Sequence, residues 1–100
     1  MIPSIILFEY LQQYSAHNTI EKQRRTAEQS VDGVIPLDGA VAAQAANIRA
    51  RLDEAGTALD VPDLLVAAAA REQGCTLATR NRNDFDKAPI HELLSIDIVQ

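Results

Sequence analysis

The sequence predicts an α/β fold built on a short parallel sheet. Hydrophobic residues make up 47% of the 100 and fall into helical stripes and three short aliphatic stretches, residues 34–37, 76–79 and 96–99. Helical sequence between the first two stretches implies right-handed crossovers, which join parallel strands. The chain has two Phe, two Tyr and no Trp. Its core must therefore consist of Ala, Leu, Ile and Val, which favours alanine-rich helices on short strands over an all-β sandwich.

Two helices and a strand are predicted first. Residues 5–14 form a helix whose N-cap is Ser4 and whose apolar side is deeply buried. Residues 18–31 form a second, more polar helix. The aliphatic stretch at residues 34–37 follows as the first clear strand, and its proline is typical of a strand end or edge.

The next two helices are predicted to form the core. Asp38 caps the first of them, and Gly56 ends it. Its buried stripe is predicted to contain five residues at helical spacing: Val41, Ala45, Ile48, Leu52 and Ala55. Asp60 is the expected N-cap of the second helix, which is apolar on nearly all sides over residues 64–70 and ends at Gly74.

The predicted sheet is too narrow for the helices that cover it. The strand at residues 76–79 leads into a polar turn at residues 80–86, with room for one helical turn, and the last strand is residues 96–99. Three short strands make a thin sheet, whereas a parallel sheet needs cover on both faces. The very apolar helix at residues 64–70 requires a wider platform, so the sheet is expected to be incomplete.

Charge and composition narrow the range of functions. The net charge of −5 has the wrong sign for a protein that binds nucleic acid through Lys and Arg. An acidic site for cations would contribute to that charge, so RNA stays possible as a substrate. Arginines form three pairs along the chain: Arg24 and Arg25, Arg49 and Arg51, and Arg80 and Arg82. They suit bidentate phosphate contact, or they belong to solvated helix faces, which is the plainer interpretation of the first two pairs.

The sequence predicts a cytoplasmic protein. Cys75 is the single cysteine, so no disulfide forms within the chain, and we expect it to be a small buried hydrophobe. Residues 1–4 lack the basic region of a signal peptide, and no apolar run is long enough to cross a bilayer. His17 and His91 lack the spacing of metal ligands.

Acidic residues are predicted to gather at one edge of the sheet. Asp84 follows the strand at residues 76–79, and Asp63 lies at the start of the helix that leads into this strand. After one right-handed crossover, the start of a helix and the end of the following strand lie on the same side of the sheet. Asp63 and Asp84 can therefore approach each other, and Glu9 could join them from the first helix.

Three converging carboxylates would favour a bound cation. Each would have a raised pKa unless a positive charge compensates it. A hard divalent ion such as Mg²⁺ or Mn²⁺ takes oxygen ligands and keeps several waters. Such an ion activates water and neutralises charge on a phosphodiester, so the pattern is compatible with a nuclease.

Each candidate also has a purely structural interpretation. Asp63, in the first turn of a helix, could simply complement the helix dipole. Glu9 could be solvated or paired with an arginine, and Asp84 could be a turn residue. Asn81 and Thr79 could hydrogen-bond the same turn. Spacing alone therefore leaves the function undecided.

The second half of the chain carries a recognisable pattern. Residues 61–70 read VPDLLVAAAA, Gly74 follows, residues 76–81 read TLATRN, and Asp84 and Phe85 come next. This pattern resembles the C-terminal half of PIN-domain proteins, in particular the toxins of VapBC-type toxin–antitoxin pairs. The resemblance extends upstream over two further stretches: residues 2–11 and 35–56.

The resemblance implies a three-layer fold and a Mg²⁺- or Mn²⁺-dependent endoribonuclease, with RNA as substrate and a cognate antitoxin as partner. The catalytic and metal-binding positions that it implies are Glu9, Asp63 and Asp84. Many family members have an acid where this chain has Asn81, and others have Asn there with an acid three residues later, as here. Thr79 and Asn81 would orient the ligands or the water. Arg80 and Arg82 would contact phosphate.

The chain departs from the family at its beginning. Family members open with a central strand that ends in an aspartate, typically in an Asp-Thr-Asn/Ser motif, and this aspartate is a primary metal ligand. We therefore expect residues 1–100 to form a single, N-terminally truncated PIN-like domain. Three explanations of this departure remain open. They are a misassigned start or a shortened chain, a decayed relative that no longer cuts RNA, and two chains that associate to cover the gap. We favour a homodimer.

Two alternatives to the enzyme remain. A catalytically inactive PIN-like module would keep the fold, dimerise and bind an antitoxin-like peptide near its N-terminal helices, and the missing aspartate favours it. A small α/β regulatory domain without a metal site is the other.

Overall fold

The structure, a computed structural model, describes all 100 residues and contains four strands and six helices. The first six elements are β1 (Ile2–Pro3), α1 (Ser4–Leu11), α2 (His17–Gln29), β2 (Val34–Ile35), α3 (Gly39–Glu54) and α4 (Val61–Glu72). The last four are β3 (Leu77–Thr79), α5 (Arg82–Phe85), α6 (Ala88–Leu93) and β4 (Ile96–Ile98). This order of elements confirms the α/β fold class. None of the helices is long and apolar enough to cross a membrane.

The strands are divided between two sheets. β1 pairs with β2, β3 pairs with β4, and no ladder joins the two pairs. Both pairs are parallel, as the helical crossovers predict. The incompleteness that the sequence indicates is therefore a gap between two short pairs of strands. The three predicted strands are all present but shorter than their aliphatic stretches, and β1 adds a fourth.

The core is formed mainly by α3 and α4. The side chain of Asp38 accepts a hydrogen bond from the Val41 N–H (3.1 Å), so the predicted cap of α3 is confirmed. The predicted stripe is buried at four positions: Val41, Ala45, Ile48 and Leu52. Ala55 is exposed, because α3 ends at Glu54 and Ala55 is its C-cap. Ile48 is completely buried.

α4 lies against α3 and supplies the other half of this core. Its buried residues are Leu64, Val66, Ala67, Ala68, Ala69 and Ala70. This confirms the very apolar helix, and small side chains at the contact allow two helices to approach closely. Asp60 occupies the N-cap position, as predicted, although its side chain forms no capping hydrogen bond. Gly74 has φ 65° and follows the helix, as predicted for a C-terminal glycine.

The N-terminal helices are packed more loosely than predicted. Pro3 is the N-cap of α1, and Ser4 is the first helical residue. Ser4 is therefore not the cap; its hydroxyl donates to the carbonyl of Ile35 (2.9 Å) and ties α1 to β2. Only Leu7 of α1 is buried, whereas Phe8 is 58% exposed. The predicted deep burial is wrong because α2, which packs beside α1, has no buried residue of its own.

The segment after β3 contains one helix more than predicted. α5 is the single helical turn expected in the polar segment. α6 is not predicted, although Pro89 in its first turn is a helix-start signal. Ile90 of α6 is completely buried in the main core. His91 and Asp86 are 2.9 Å apart and connect α6 to the end of α5.

Candidate functional site

A cleft of about 560 Å³ separates the two sheets. Its walls come from β1, α1, α4 and β3. Four of the predicted site residues line it: Glu9, Asp63, Thr79 and Asn81. Cys75 lines it as well and is exposed, so the prediction that this thiol is buried is wrong. Glu9 and Asp63 therefore belong to the cleft between the sheets, whereas Asp84 adjoins Asp63 without lining the cleft.

α4 and β3 both line the cleft, and the start of β3 lies beside the end of α4. The N–H of Cys75 donates to the carbonyl of Ala70 (2.9 Å), so β3 begins beside the end of α4. From Asp63 to Ala70 the helix measures about 10.5 Å, and β3 with its preceding residue spans about 10 Å. β3 therefore returns toward the level of the helix start, and Thr79 and Asn81 line the same cleft as Asp63. This is the arrangement that the sequence predicts for a right-handed crossover.

Asp63 has the most perturbed environment of the candidate residues. Burial raises the pKa of its carboxyl above the usual value, and the negative charges of Asp84 and Asp60 raise it further. Glu9 makes a smaller contribution in the same direction. Asp63 lies in the first turn of α4, where the helix dipole alone would lower the pKa. Asp63 therefore lies where the helix dipole favours its charged form and where burial and neighbouring carboxylates oppose it.

No basic side chain neutralises these carboxylates. The carboxylates that form ion pairs are Glu21, Glu28 and Asp86, which lie elsewhere. Asp60 adds to the negative charge and is absent from the predicted site. Its position in the same helical turn as Asp63, three residues earlier, is the signal that could have identified it. The acidic end of the cleft therefore carries negative charge without a partner in the chain.

Asn81 holds Asp84 in a fixed orientation. The Asn81 Nδ2 donates to Asp84 Oδ2 (2.7 Å), and the Asp84 N–H donates to Asn81 Oδ1 (3.3 Å), which caps α5. The Asn81 N–H in turn donates to the Thr79 hydroxyl oxygen (3.0 Å). Thr79 and Asn81 therefore do hydrogen-bond the turn, and the same contacts orient the carboxylate of Asp84.

Glu9 is the outlying member of the group. It is exposed on α1 and affects Asp63 only through its charge. No three His, Cys, Asp or Glu side chains lie close enough together to hold one metal ion in this conformation. The structure therefore brings Asp63 and Asp84 together and leaves Glu9 nearby on a loosely packed helix.

The arginines differ in their surroundings. Arg24 forms ion pairs with Glu21 (2.8 Å) and Glu28 (3.1 Å) on α2, so it belongs to a solvated helix face. Arg82 approaches Asp86 at 3.9 Å. Arg80 is exposed beside the acidic end of the cleft and forms no ion pair. Arg80 and Arg82 flank Asn81 of the predicted site in the chain.

The donor groups at this end of the cleft fit a hard divalent cation. Carboxylate oxygens are the ligands that Mg²⁺ and Mn²⁺ prefer. Burial and the neighbouring carboxylates oppose the negative charge of Asp63, and a bound cation would compensate for both effects. Asp63 and Asp84 would hold such an ion, and Glu9 is a further carboxylate that lines the same cleft.

Comparison with known proteins identifies the family. The sequence profile of the PIN domain matches residues 1–90. The chain belongs to the PIN domain family. A search of curated proteins finds no match. The family assignment confirms the resemblance that rests on residues 61–85, and it extends to the N-terminal elements, where the sequence pattern is weaker.

Solved structures share the fold of this PIN domain. VapBC from Salmonella typhimurium, solved bound to DNA, matches with a TM-score of 0.74 and 24% identity over 97% of this chain and 73% of that chain. VapBC-5 from Mycobacterium tuberculosis, a member of a toxin–antitoxin family, matches with a TM-score of 0.61 and 26% identity over 98% and 79%. FitAcB from Neisseria gonorrhoeae matches with a TM-score of 0.66 and 21% identity over 94% and 70%.

Proposed function

We propose that this PIN domain is a divalent-metal-dependent endoribonuclease of the toxin–antitoxin type. The observation that carries the proposal is the pair of neighbouring carboxylates, Asp63 in an open cleft and Asp84 beside it, neither of which has a basic partner. Membership of the PIN domain family and structural likeness to VapBC proteins support the same class. We expect the protein to act in the cytoplasm, on RNA.

The proposed roles follow from the surroundings of each residue. Asp63 and Asp84 would hold Mg²⁺ or Mn²⁺, and Glu9 would be a further ligand from α1. The cation, when bound, would supply Lewis acidity at the phosphodiester and lower the pKa of water. Asn81 keeps Asp84 oriented through the 2.7 Å hydrogen bond.

RNA is held by the exposed arginines beside this site. Arg80 has no ion-pair partner, and the only acidic partner of Arg82 is 3.9 Å away, so both guanidinium groups are free for phosphate. Thr79 supports Asn81 from the end of β3. Binding near a negatively charged site needs the cation as well, which agrees with the net charge of −5.

Cleavage of a single-stranded RNA with and without Mg²⁺ or Mn²⁺ tests the proposal. Asp63→Asn keeps the shape of the side chain and removes its charge, and we expect it to lower the metal-dependent rate about a hundredfold. Asp53→Asn, an exposed aspartate on α3 outside the cleft, is the matched control. Cleavage that persists unchanged in Asp63→Asn and in Asp84→Asn would refute the assignment.

We also propose a cognate antitoxin and a homodimer as partners. An apolar groove between α1 and α2 is lined by Leu7, Phe8, Leu11, Tyr14 and Ile20. Phe8 is 58% exposed in this groove. Exposed apolar surface of this kind is typical of a site that another protein covers. Sedimentation of the wild type and of Phe8→Ser distinguishes the states. A monodisperse monomer for the wild type would contradict the homodimer.

A catalytically inactive module is the second candidate. The observation in its favour is that no three acidic side chains lie close enough to share one ion. Such a module would bind its antitoxin and dimerise but neither bind a cation nor cut RNA. Calorimetric titration with Mn²⁺ separates the two candidates, because the enzyme binds the ion in the absence of RNA and the module does not.

A further inference from the structure

A second open groove, of about 550 Å³, runs along α3. Its floor is a stripe of residues at helical spacing, Asn47, Arg51, Glu54 and Ala55, and its walls come from α4 and α6. These three helices all contribute buried residues to the main core. None of the residues that line this groove lines the acidic cleft, and none belongs to the elements that precede α3. The groove is therefore a separate feature of the well-packed part of the molecule.

Four charged side chains line this groove, and none of them forms an ion pair. They are Arg51, Glu54, Arg71 and Glu92, whereas the ion pairs of the chain involve other residues. Arg51 and Glu54 are three residues apart on α3, a spacing at which helical side chains are neighbours, and yet they do not pair. The groove thus contains two cations and two anions that the chain leaves without partners.

The positive charges lie toward one end of the groove. The Arg71 Nη1 donates to Asn47 Oδ1 (2.8 Å), which holds this guanidinium group beside the middle of α3. Helical side chains tilt toward the N-terminus of their helix, so Arg51 leans toward the same end. Two guanidinium groups that lie together suit a carboxylate, because each presents a planar fork of N–H donors.

The negative charges lack the cation that their position requires. Glu54 is the last residue of α3, about 10.5 Å along the helix axis from Asn47. Glu92 lies in the last turn of α6. The C-terminal end of a helix carries partial negative charge, which favours arginine and opposes glutamate. The helix dipoles therefore account for Arg51 and Arg71, which lie in the last turns of α3 and α4, but not for the two glutamates.

Apolar surface accompanies these charges. Ala55, Pro89 and Leu93 line the groove as well. Leu93 is half-buried and packs against the main core, so its position is fixed. A short methylene chain can lie on a surface of this kind while its charged ends reach polar groups.

We propose that this groove binds a small linear molecule that has a carboxylate at one end and an ammonium group at the other. The carboxylate binds Arg51 and Arg71, the ammonium group binds Glu54 and Glu92, and the chain between them covers the apolar surface. A ligand with one charge alone would meet two opposite and two like charges and gain little, whereas a ligand with both charges uses all four side chains. The inference requires neither a metal nor RNA, so its outcome is independent of the proposed nuclease activity.

NMR titration of the metal-free protein at low ionic strength tests the inference. The probe is 6-aminohexanoate, and hexanoate and hexylammonium are matched ligands that each lack one of its charges. We expect 6-aminohexanoate to shift the guanidinium N–H signals of Arg51 and Arg71 and the amide signals of Glu54 and Glu92. It should bind at least about tenfold more tightly than either matched ligand, as the loss of one charge-assisted contact implies.

Two variants identify the ends of the groove. Arg51→Gln and Glu54→Gln each remove one charge and keep a side chain of similar size, and each should weaken the binding of 6-aminohexanoate about tenfold. Arg49→Gln and Asp53→Asn are the matched controls, because both residues are exposed on α3 outside the groove. All four positions are exposed, so the variants should fold.

Four results would overturn the inference. They are an absence of shifts at millimolar 6-aminohexanoate, equal affinity for hexanoate or hexylammonium, shifts confined to residues outside the groove, and binding that Arg51→Gln and Glu54→Gln both retain. Weakening by the control variants to the same extent would also contradict it, because it would show a general attraction to the charge of α3.

Discussion

The two halves of this PIN domain differ in how firmly they are packed. Four residues of α3 and six of α4 are buried, whereas α1 buries only Leu7 and α2 buries none. Asp63 is attached to the firm half, and Glu9 to the loose one. The carboxylates of the candidate site therefore differ in how firmly they are held: the core positions Asp63, the hydrogen bond from Asn81 positions Asp84, and Glu9 lies on the loosely packed helix.

Core substitution should show the largest difference between the halves. Ile48→Ala removes a completely buried side chain between α3 and α4. We expect the free energy of unfolding to fall by about 2–5 kcal/mol. Phe8→Ala on α1 is the matched substitution in the loose half, and it should cost less than about 0.5 kcal/mol. Urea denaturation of both variants measures the two values, and similar losses would contradict the division of the molecule.

Metal affinity should follow the same division. Asp63→Asn removes the carboxylate with the most crowded negative surroundings, and we expect Mn²⁺ to bind about a hundredfold more weakly. Glu9→Gln should cost about tenfold or less, because Glu9 lies on the loose helix and interacts only at longer range. Calorimetry gives both affinities. A larger effect of Glu9→Gln would move the centre of the site to α1.

Asn81 connects the cap of α5 to the orientation of Asp84. Asn81→Ala should lower the free energy of unfolding by about 1 kcal/mol through the lost cap. It should also weaken Mn²⁺ binding about tenfold, as expected when the partner of a ligand is removed. Asn83→Ala, an exposed residue of the same short helix, is the control. If the two variants bind Mn²⁺ equally well, the hydrogen bond to Asp84 has no positioning role.

The smallest expected effect is the dependence of stability on pH. The pKa of Asp63 is raised in the folded protein, so its contribution to stability is complete below the pKa of the unfolded chain and is lost as pH rises through the folded pKa. Asp63→Asn should therefore gain stability relative to the wild type as the pH rises above the ordinary pKa of aspartic acid, about 3.9. Urea midpoints at several pH values, with Asp53→Asn as the control, measure this trend. The opposite trend would mean that the folded state favours the charged carboxyl.

The sequence predicts the firm half of the molecule better than the loose half. The stripe from Val41 to Leu52, the cap by Asp38 and the apolar helix after Asp60 are visible because burial and capping impose a period and a residue type. The approach of Asp63 to Asp84 follows from one crossover and needs no side-chain detail. These local rules were sufficient because each involves neighbours in one or two elements.

The features that the sequence does not predict depend on distant contacts. Ser4 resembles a cap but bonds to Ile35, thirty-one residues away. The apolar run of α1 resembles a buried helix, but its burial depends on a partner that α2 only partly provides. The division of the strands into two pairs, the exposure of Cys75 and the distance of Glu9 from the other carboxylates depend on how the halves are placed together, and no periodicity encodes that placement.

Titration of the Asp63 carboxyl carbon by NMR, with and without Mg²⁺, tests the central claim most directly. We propose that Asp63 and Asp84 form a negatively charged pair that has no basic partner in the chain and binds a divalent ion. We expect the pKa of Asp63 to lie above the usual value for aspartic acid in the metal-free protein and to fall markedly when Mg²⁺ is added. An Asp63 pKa that is ordinary without Mg²⁺ and unchanged by it would show that this pair does not bind the ion.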